Sequence, residues 1–435
     1  MRALRRIGGR VTRVAGGLRP MPRALALAAA LGAALAAAPP ARAQDFPVDP
    51  PRAPTPVGPR PPPLLAAPAT EAATAELITP FQLLDRFVLP GTRQRLQWRP
   101  PDGLGRGEVP SPITVVHGAR PGPVLCLIAG IHGDELNGIE VARRIGQEVD
   151  ATRLAGTLVV APIVNIFGFT RNNRFLPDRR DLNRHFPGSR SGSIASRMAY
   201  GFFNDVVRRC DALVDFHTGS FQRTNLPQIR ADLTNPDVLE FTRGFGDTLV
   251  LHSPGARGML RLAAVAVGIP AVTFEVGAPQ FLEEQHIAPA ADAIRALMHR
   301  MAMLDSEAHA GAEPVTTPIY QDSSWVRTNA AGFLFAEVEL GEQVRLGQRL
   351  GHVIDPVSNR RTDIVAPFPG QVLGKALNQQ VLPGYAAFHI GKLTSEQQAV
   401  LEAAEAEARA AAGEAVDEDP EERPDDEAGR EDERE

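Results

Sequence analysis

Four short apolar runs constrain this chain more than any other feature: VLCLIAG (124–130), TLVVAPIVN (157–165), ALVDFHTG (212–219) and AVTFEVG (271–277). Each reads as a strand. Between them lie helical patterns such as ELNGIEVARRIGQEVD (135–150) and SIASRMAYGFFNDVVRRC (193–210). Alternating strand and helix over residues 77–305 predicts an α/β sheet with helices on both faces.

The flanks differ in kind. Residues 1–43 hold eight arginines and no acid, with the apolar run 24–38 followed by a small-x-small site, ARA (41–43). This is the pattern of an export signal cleaved after Ala43, and it predicts a periplasmic or secreted protein without a stable membrane span. Residues 44–76 are proline-dense and read as a linker. Residues 313–393 are short runs punctuated by glycine, a compact all-β module. Residues 394–435 read as a surface helix that runs into a disordered acidic end. The charged ends leave a nearly neutral middle with no basic domain, so nucleic acid is not an expected partner. Lys375 and Lys392 are the only lysines among 46 basic residues, and both lie far from the motifs below, which argues against lysine chemistry. Cys126 and Cys210 each sit in or beside an apolar run and are expected to be buried free thiols rather than a bridge.

Three of the predicted strands end in chemistry. After the first, HGDE supplies His132 and Glu135, three residues apart at a strand-to-helix turn. That spacing suits two ligands of a catalytic zinc ion; the alternative is a plain helix N-terminus capped by Asp134. His217 closes the third run and Glu275 the fourth, where the carboxyl ends of strands assemble sites in open sheets. A carboxylate there is a candidate general base. Between the second and third runs, RNNRFLPDRRDLNRHFPG (171–188) carries five arginines, suited to recognising carboxylates.

HGDE, DLNRHFPG, DFHTG and TFEVG, in this order, resemble the succinylglutamate desuccinylase/aspartoacylase family of zinc carboxypeptidase-like hydrolases. The resemblance covers roughly residues 80–395. It implies a mixed sheet with helices on both faces and a small C-terminal β domain. It also implies one zinc ion per chain on His132, Glu135 and His217, with Glu275 as base and Asp181 orienting His132. Asn183 and Arg184 would hold a substrate carboxylate, and Arg174 would polarise the scissile carbonyl. The loop is two residues longer than the family's RxxxxDLNR spacing, so Arg171, Arg179 and Arg180 are alternatives to Arg174. The β module resembles a biotinyl/lipoyl-type barrel-sandwich hybrid, but its hairpin, SNRRTD (358–363), lacks the modifiable lysine.

These features predict a zinc-dependent hydrolase acting on a linear amide, with a carboxylate-bearing N-acyl amino acid as substrate. Two other readings follow from the same residues: a periplasmic carboxypeptidase or murein-peptide amidase, and a non-catalytic zinc-dependent binding protein.

Overall fold

The computed structural model describes residues 78–100, 109–305 and 318–393. The expected signal peptide, proline-rich linker, C-terminal helix and acidic tail lie outside the described residues, as does the domain junction at 306–317.

A hairpin of β1 (Phe81–Leu83) and β2 (Arg86–Val88) precedes the main sheet. The sheet then receives β3 (Thr92–Trp98), β4 (Ser111–His117), β5 (Arg120–Ile128) and β6 (Ala155–Ala161). It is extended by β7 (Ala212–His217), β8 (Arg223–Ala231), β9 (Leu249–His252) and β10 (Ala271–Gly277). The helices between are α1 (Leu136–Glu148), α2 (Ile166–Phe169), α3 (Ile194–Asp205), α4 (Pro236–Thr242), α5 (Leu260–Val265) and α6 (Glu284–Arg300).

The four apolar runs become β5, β6, β7 and β10, which lie side by side in the order β10-β7-β5-β6 and are mutually parallel. Antiparallel β8 flanks β10, antiparallel β4 flanks β6 and β3 pairs antiparallel with β4 beyond it, so the sheet is mixed. Side chains alternate across it with a period of two. Val214 and Phe216 of β7 and Val272 and Phe274 of β10 enter the core on one face, with Val141 and Ile145 of α1 and Ile294 of α6. On the other face, Cys126 and Ile128 of β5 pack with Met198 and Phe202 of α3 and Leu260 of α5. By the same parity Asp215, His217, Thr273 and Glu275 belong to this second face. No helix among the described residues is long and apolar enough to cross a membrane.

The β module is built from β11 (Ile319–Tyr320), β12 (Ser323–Arg327), β13 (Gly332–Ala336), β14 (Gln343–Val344) and β15 (Arg349–Ile354). It continues with β16 (Arg361–Val365), β17 (Gly370–Ala376), β18 (Gln379–Val381) and β19 (Ala386–Lys392). One of its sheets, β16-β15-β13-β18, shares a core with the other around Leu334, Leu350, Val372 and Phe388. That other sheet is not separate from the first domain. β17 pairs antiparallel with β8, so the main sheet runs on through β17 and β19 to β12.

One expectation is corrected. Cys126 and Cys210 are buried, but they form a disulfide with Cα atoms 5.7 Å apart. Cys126 lies on β5 opposite Leu213 of β7, and Cys210 leads into β7, so strand pairing brings together thiols 84 residues apart in the chain.

Candidate metal centre and active site

The turn after β5 is tight because Gly133 lies against the backbone of Gly168 and Phe169, where a Cβ would collide. α1 then begins at Leu136, with Glu135 in the N-cap position but making no capping bond. The side chain of Glu135 turns inward. Its Oε1 lies 2.9 Å from His132 Nδ1 and its Oε2 2.9 Å from His217 Nδ1. The two Nδ1 atoms approach to 3.1 Å. His132, Glu135 and His217 are all buried, with one candidate ligand atom each inside a 4.8 Å span.

Each imidazole is held from behind by a carboxylate on its other nitrogen. His132 Nε2 meets Asp181 Oδ1 at 2.9 Å, and His217 Nε2 meets Asp215 Oδ2 at 2.9 Å. Such partners fix ring orientation and raise the basicity of the inward nitrogen. Asp181 also caps the short turn Leu182–Arg184 through the Asn183 amide, which locks the loop to the histidine. Arg174 closes the cluster: Nη1 donates to Glu135 at 2.8 Å and to Ser220 Oγ at 2.9 Å, and Nη2 donates to Asp181 at 2.9 Å. Its Nε is buried and has no hydrogen-bond partner among the described residues.

The cluster couples buried acids and imidazoles tightly. Burial opposes ionisation of Glu135, yet His132 and His217 pull its pKa well below the carboxylate range. Burial likewise opposes charge on His217, but Asp215 and Glu135 hold its pKa well above the ordinary histidine value. Asp134, next door, is pushed up by burial and by Glu135. Two inward imidazole nitrogens and a carboxylate, with no thiolate, form the donor set of a catalytic rather than structural zinc site. These residues fit the ion that the sequence resemblance implies.

Glu275 lies opposite His217 in the β10–β7 ladder, so both side chains leave the same face. β8 holds both of its oxygens: Asn225 Nδ2 donates to Oε2 at 3.0 Å, and Arg230 Nε lies 3.6 Å from Oε1. The strand ends two residues later at Gly277, whose φ of +67° and lack of a Cβ beside Glu283 permit the exit turn. Arg261 is buried nearby, and burial, then Arg230, pushes its guanidinium down to about 10.

The structure therefore brings His132, Glu135, His217, Asp181 and Arg174 into one bonded cluster. Of the loop arginines, Arg171, Arg179 and Arg180 are exposed, and Arg180 pairs with Asp178. Asn183 is buried and faces inward: Oδ1 accepts from the Leu260 amide at 2.8 Å, and Nδ2 lies 3.1 Å from His217 Nε2. Arg184 is exposed, with Nη1 on the Asn183 carbonyl. Sequence reasoning missed Asp215, although DFH places it two residues before His217 on one strand face, which was signal enough. It also missed Asn225, Arg230 and Arg261, which carry no local motif.

The comparisons bear on the fold and the kind of relatives. Residues 121–301 match the family described as the succinylglutamate desuccinylase/aspartoacylase catalytic domain. The N-alpha-acetyl-L-2,4-diaminobutyric acid deacetylase of Halomonas elongata is 27% identical over 261 residues, covering 57% of this chain and 75% of that protein. The product-bound ectoine utilization protein of Ruegeria pomeroyi superposes with a TM-score of 0.61 at 23% identity, over 69% of this chain and 94% of that one. A succinylglutamate desuccinylase/aspartoacylase from Rhodobacter sphaeroides gives 0.60 at 21%, over 69% and 96%. Residues 121–301 thus resemble the succinylglutamate desuccinylase/aspartoacylase catalytic domain, and the mixed sheet has the fold of those solved structures.

Proposed function

We propose that this protein is an exported, zinc-dependent deacylase that hydrolyses the amide bond of an N-acyl amino acid. The observation that carries the reading is the convergence of His132 Nδ1, Glu135 and His217 Nδ1, each imidazole backed by a carboxylate. Zinc held there would supply a lowered pKa for water, toward about 7, and a positive charge for the scissile carbonyl. Glu275, steadied by Asn225, takes a proton from the attacking water and passes it to the leaving nitrogen. Arg174, held beside the candidate ligands by Glu135 and Asp181, stabilises the oxyanion as the carbonyl becomes tetrahedral. Arg184, exposed on the capped turn, takes the substrate carboxylate. The Cys126–Cys210 disulfide supports export, because such bonds persist in oxidising compartments.

The test is product analysis by mass spectrometry. Zinc-loaded protein is incubated with a mixed panel of N-acyl amino acids and short peptides, with Glu275→Gln as the blank. Release of a carboxylic acid and a free amino acid, absent from the blank, is the expected result. Cleavage of peptides alone would replace the deacylase reading with a peptidase one.

A further inference from the structure

The loop after His217 is built in an unusual way. Phe221 and Gln222 both have left-handed backbone, with φ of +54° and +58°. For a bulky residue that conformation is an outlier, and such outliers persist only where the surroundings impose them. Here the β module imposes it. Tyr385 Oη donates to the Phe221 carbonyl at 2.8 Å, and the Leu377 amide and Gln379 Nε2 donate to the Gln222 carbonyl at 2.9 and 2.8 Å. Arg223 donates to the Ala386 carbonyl, and its guanidinium lies over the rings of Trp325 and Tyr385.

What this clamp achieves is to hold an aromatic ring in the open. Phe221 is 60% exposed, so core packing does not account for its left-handed backbone. Its ring centroid lies 5.4 Å from the Arg174 guanidinium and 6.5 Å from the Phe175 ring. Phe281 and Leu282, also exposed, ride on the loop after β10, which is tied back through the Gln280 amide to the Asp134 carbonyl at 2.7 Å. Exposed apolar side chains thus stand on the loops that follow both His217 and Glu275.

We propose that Phe221, with Phe175 beside it, is the wall of an acyl-group subsite selecting substrates whose acyl chain is apolar and longer than acetyl. This rests on the deacylase reading. In that reading Arg174 faces the scissile carbonyl and Arg184 takes the carboxylate of the amine half, which leaves the space beside Arg174 and Phe221 to the acyl substituent. The carboxylate-bearing amine lies toward Arg184. The β module acts here as the mount for the wall, and Tyr385 is a positioning residue.

The experiment compares kcat/KM for the acetyl, butanoyl and hexanoyl derivatives of whichever amino acid is released fastest from the mixed panel. The wild-type protein should gain roughly threefold per added methylene, on the order of eightyfold from acetyl to hexanoyl. Phe221→Ala should lower the hexanoyl-to-acetyl ratio at least tenfold, Phe221→Leu should keep part of it, and Tyr385→Phe should lower it less. The ratio is internal to each preparation, so partial misfolding does not mimic the result. A flat wild-type series, or a ratio unchanged in Phe221→Ala, overturns the subsite and leaves the deacylase reading standing. No cleavage of any acyl amino acid overturns both.

Discussion

His132 and His217 offer the same atom to the same point, but they are held there by different means. His217 is the last residue of β7, paired on both sides by β5 and β10, and its carboxylate partner Asp215 lies two residues earlier on the same strand. His132 stands in a turn beyond β5, and its partner Asp181 comes from a loop 49 residues away. That loop reaches the histidine only because Arg174 and the Leu182–Arg184 turn fix it. One candidate ligand is oriented by the sheet, the other by an ionic network. Disturbing the network should therefore damage catalysis as well as metal binding, while disturbing the strand pair should affect mainly the metal.

The largest expected effect follows from Asp181. Asp181→Asn removes the charge that holds both His132 and Arg174, so it should weaken zinc affinity by about 10- to 100-fold. It should also lower kcat further at saturating zinc, because Arg174 loses an anchor. Asp215→Asn should weaken zinc by a similar factor but recover most of its kcat once zinc is saturating. Zinc titration paired with steady-state kinetics separates the two; equal kcat at saturation would erase the proposed difference between the ligands.

A covalent tie crosses the same comparison. The Cys126–Cys210 disulfide joins β5 to the entrance of β7, the two strands that lead to the histidines, and closes a loop that contains Arg174 and Asp181. Cys210→Ala should cost about 2–4 kcal/mol of stability, measured by chemical denaturation under oxidising conditions. An unchanged midpoint would mean that the strands hold their register without the bridge.

A third histidine sharpens the contrast. His389 of β19 is buried against Trp325, with Ser323 on Nε2 and no carboxylate partner among the described residues. Burial, then Arg230, pushes its pKa down to about 3. It is neutral in the fold, and no penalty arises above its ordinary pKa of 6.5. As pH falls from there toward 3, the unfolded chain takes a proton that the folded chain refuses, so stability drops by about 1.4 kcal/mol per pH unit. His389→Phe should flatten the melting temperature between pH 6.5 and 4 by one proton's worth of slope. An unaltered slope would show that other groups dominate acid lability.

Much of the fold was legible because four central strands are buried on both faces and so read as apolar runs. The three candidate ligands were legible because each closes a strand or opens a helix within a short motif. What was hidden depended on pairing. The disulfide needed β5 and β7 to be neighbours. Asn225 and Arg230 belong to β8, whose sequence RTNLPQIRA has no apolar run to mark it. The inward turn of Asn183 toward Leu260 and His217 depends on α5, far along the chain. The continuation of the sheet through β17 was likewise invisible, since nothing local marks β8 as an edge that accepts a partner.

The most direct test of the metal centre is the zinc content of metal-stripped protein after reloading and dialysis, measured for wild type, Glu275→Gln and His217→Ala. The account predicts one zinc per chain in the first two and almost none in the third. Full zinc in His217→Ala, or none in the wild-type protein, would contradict it.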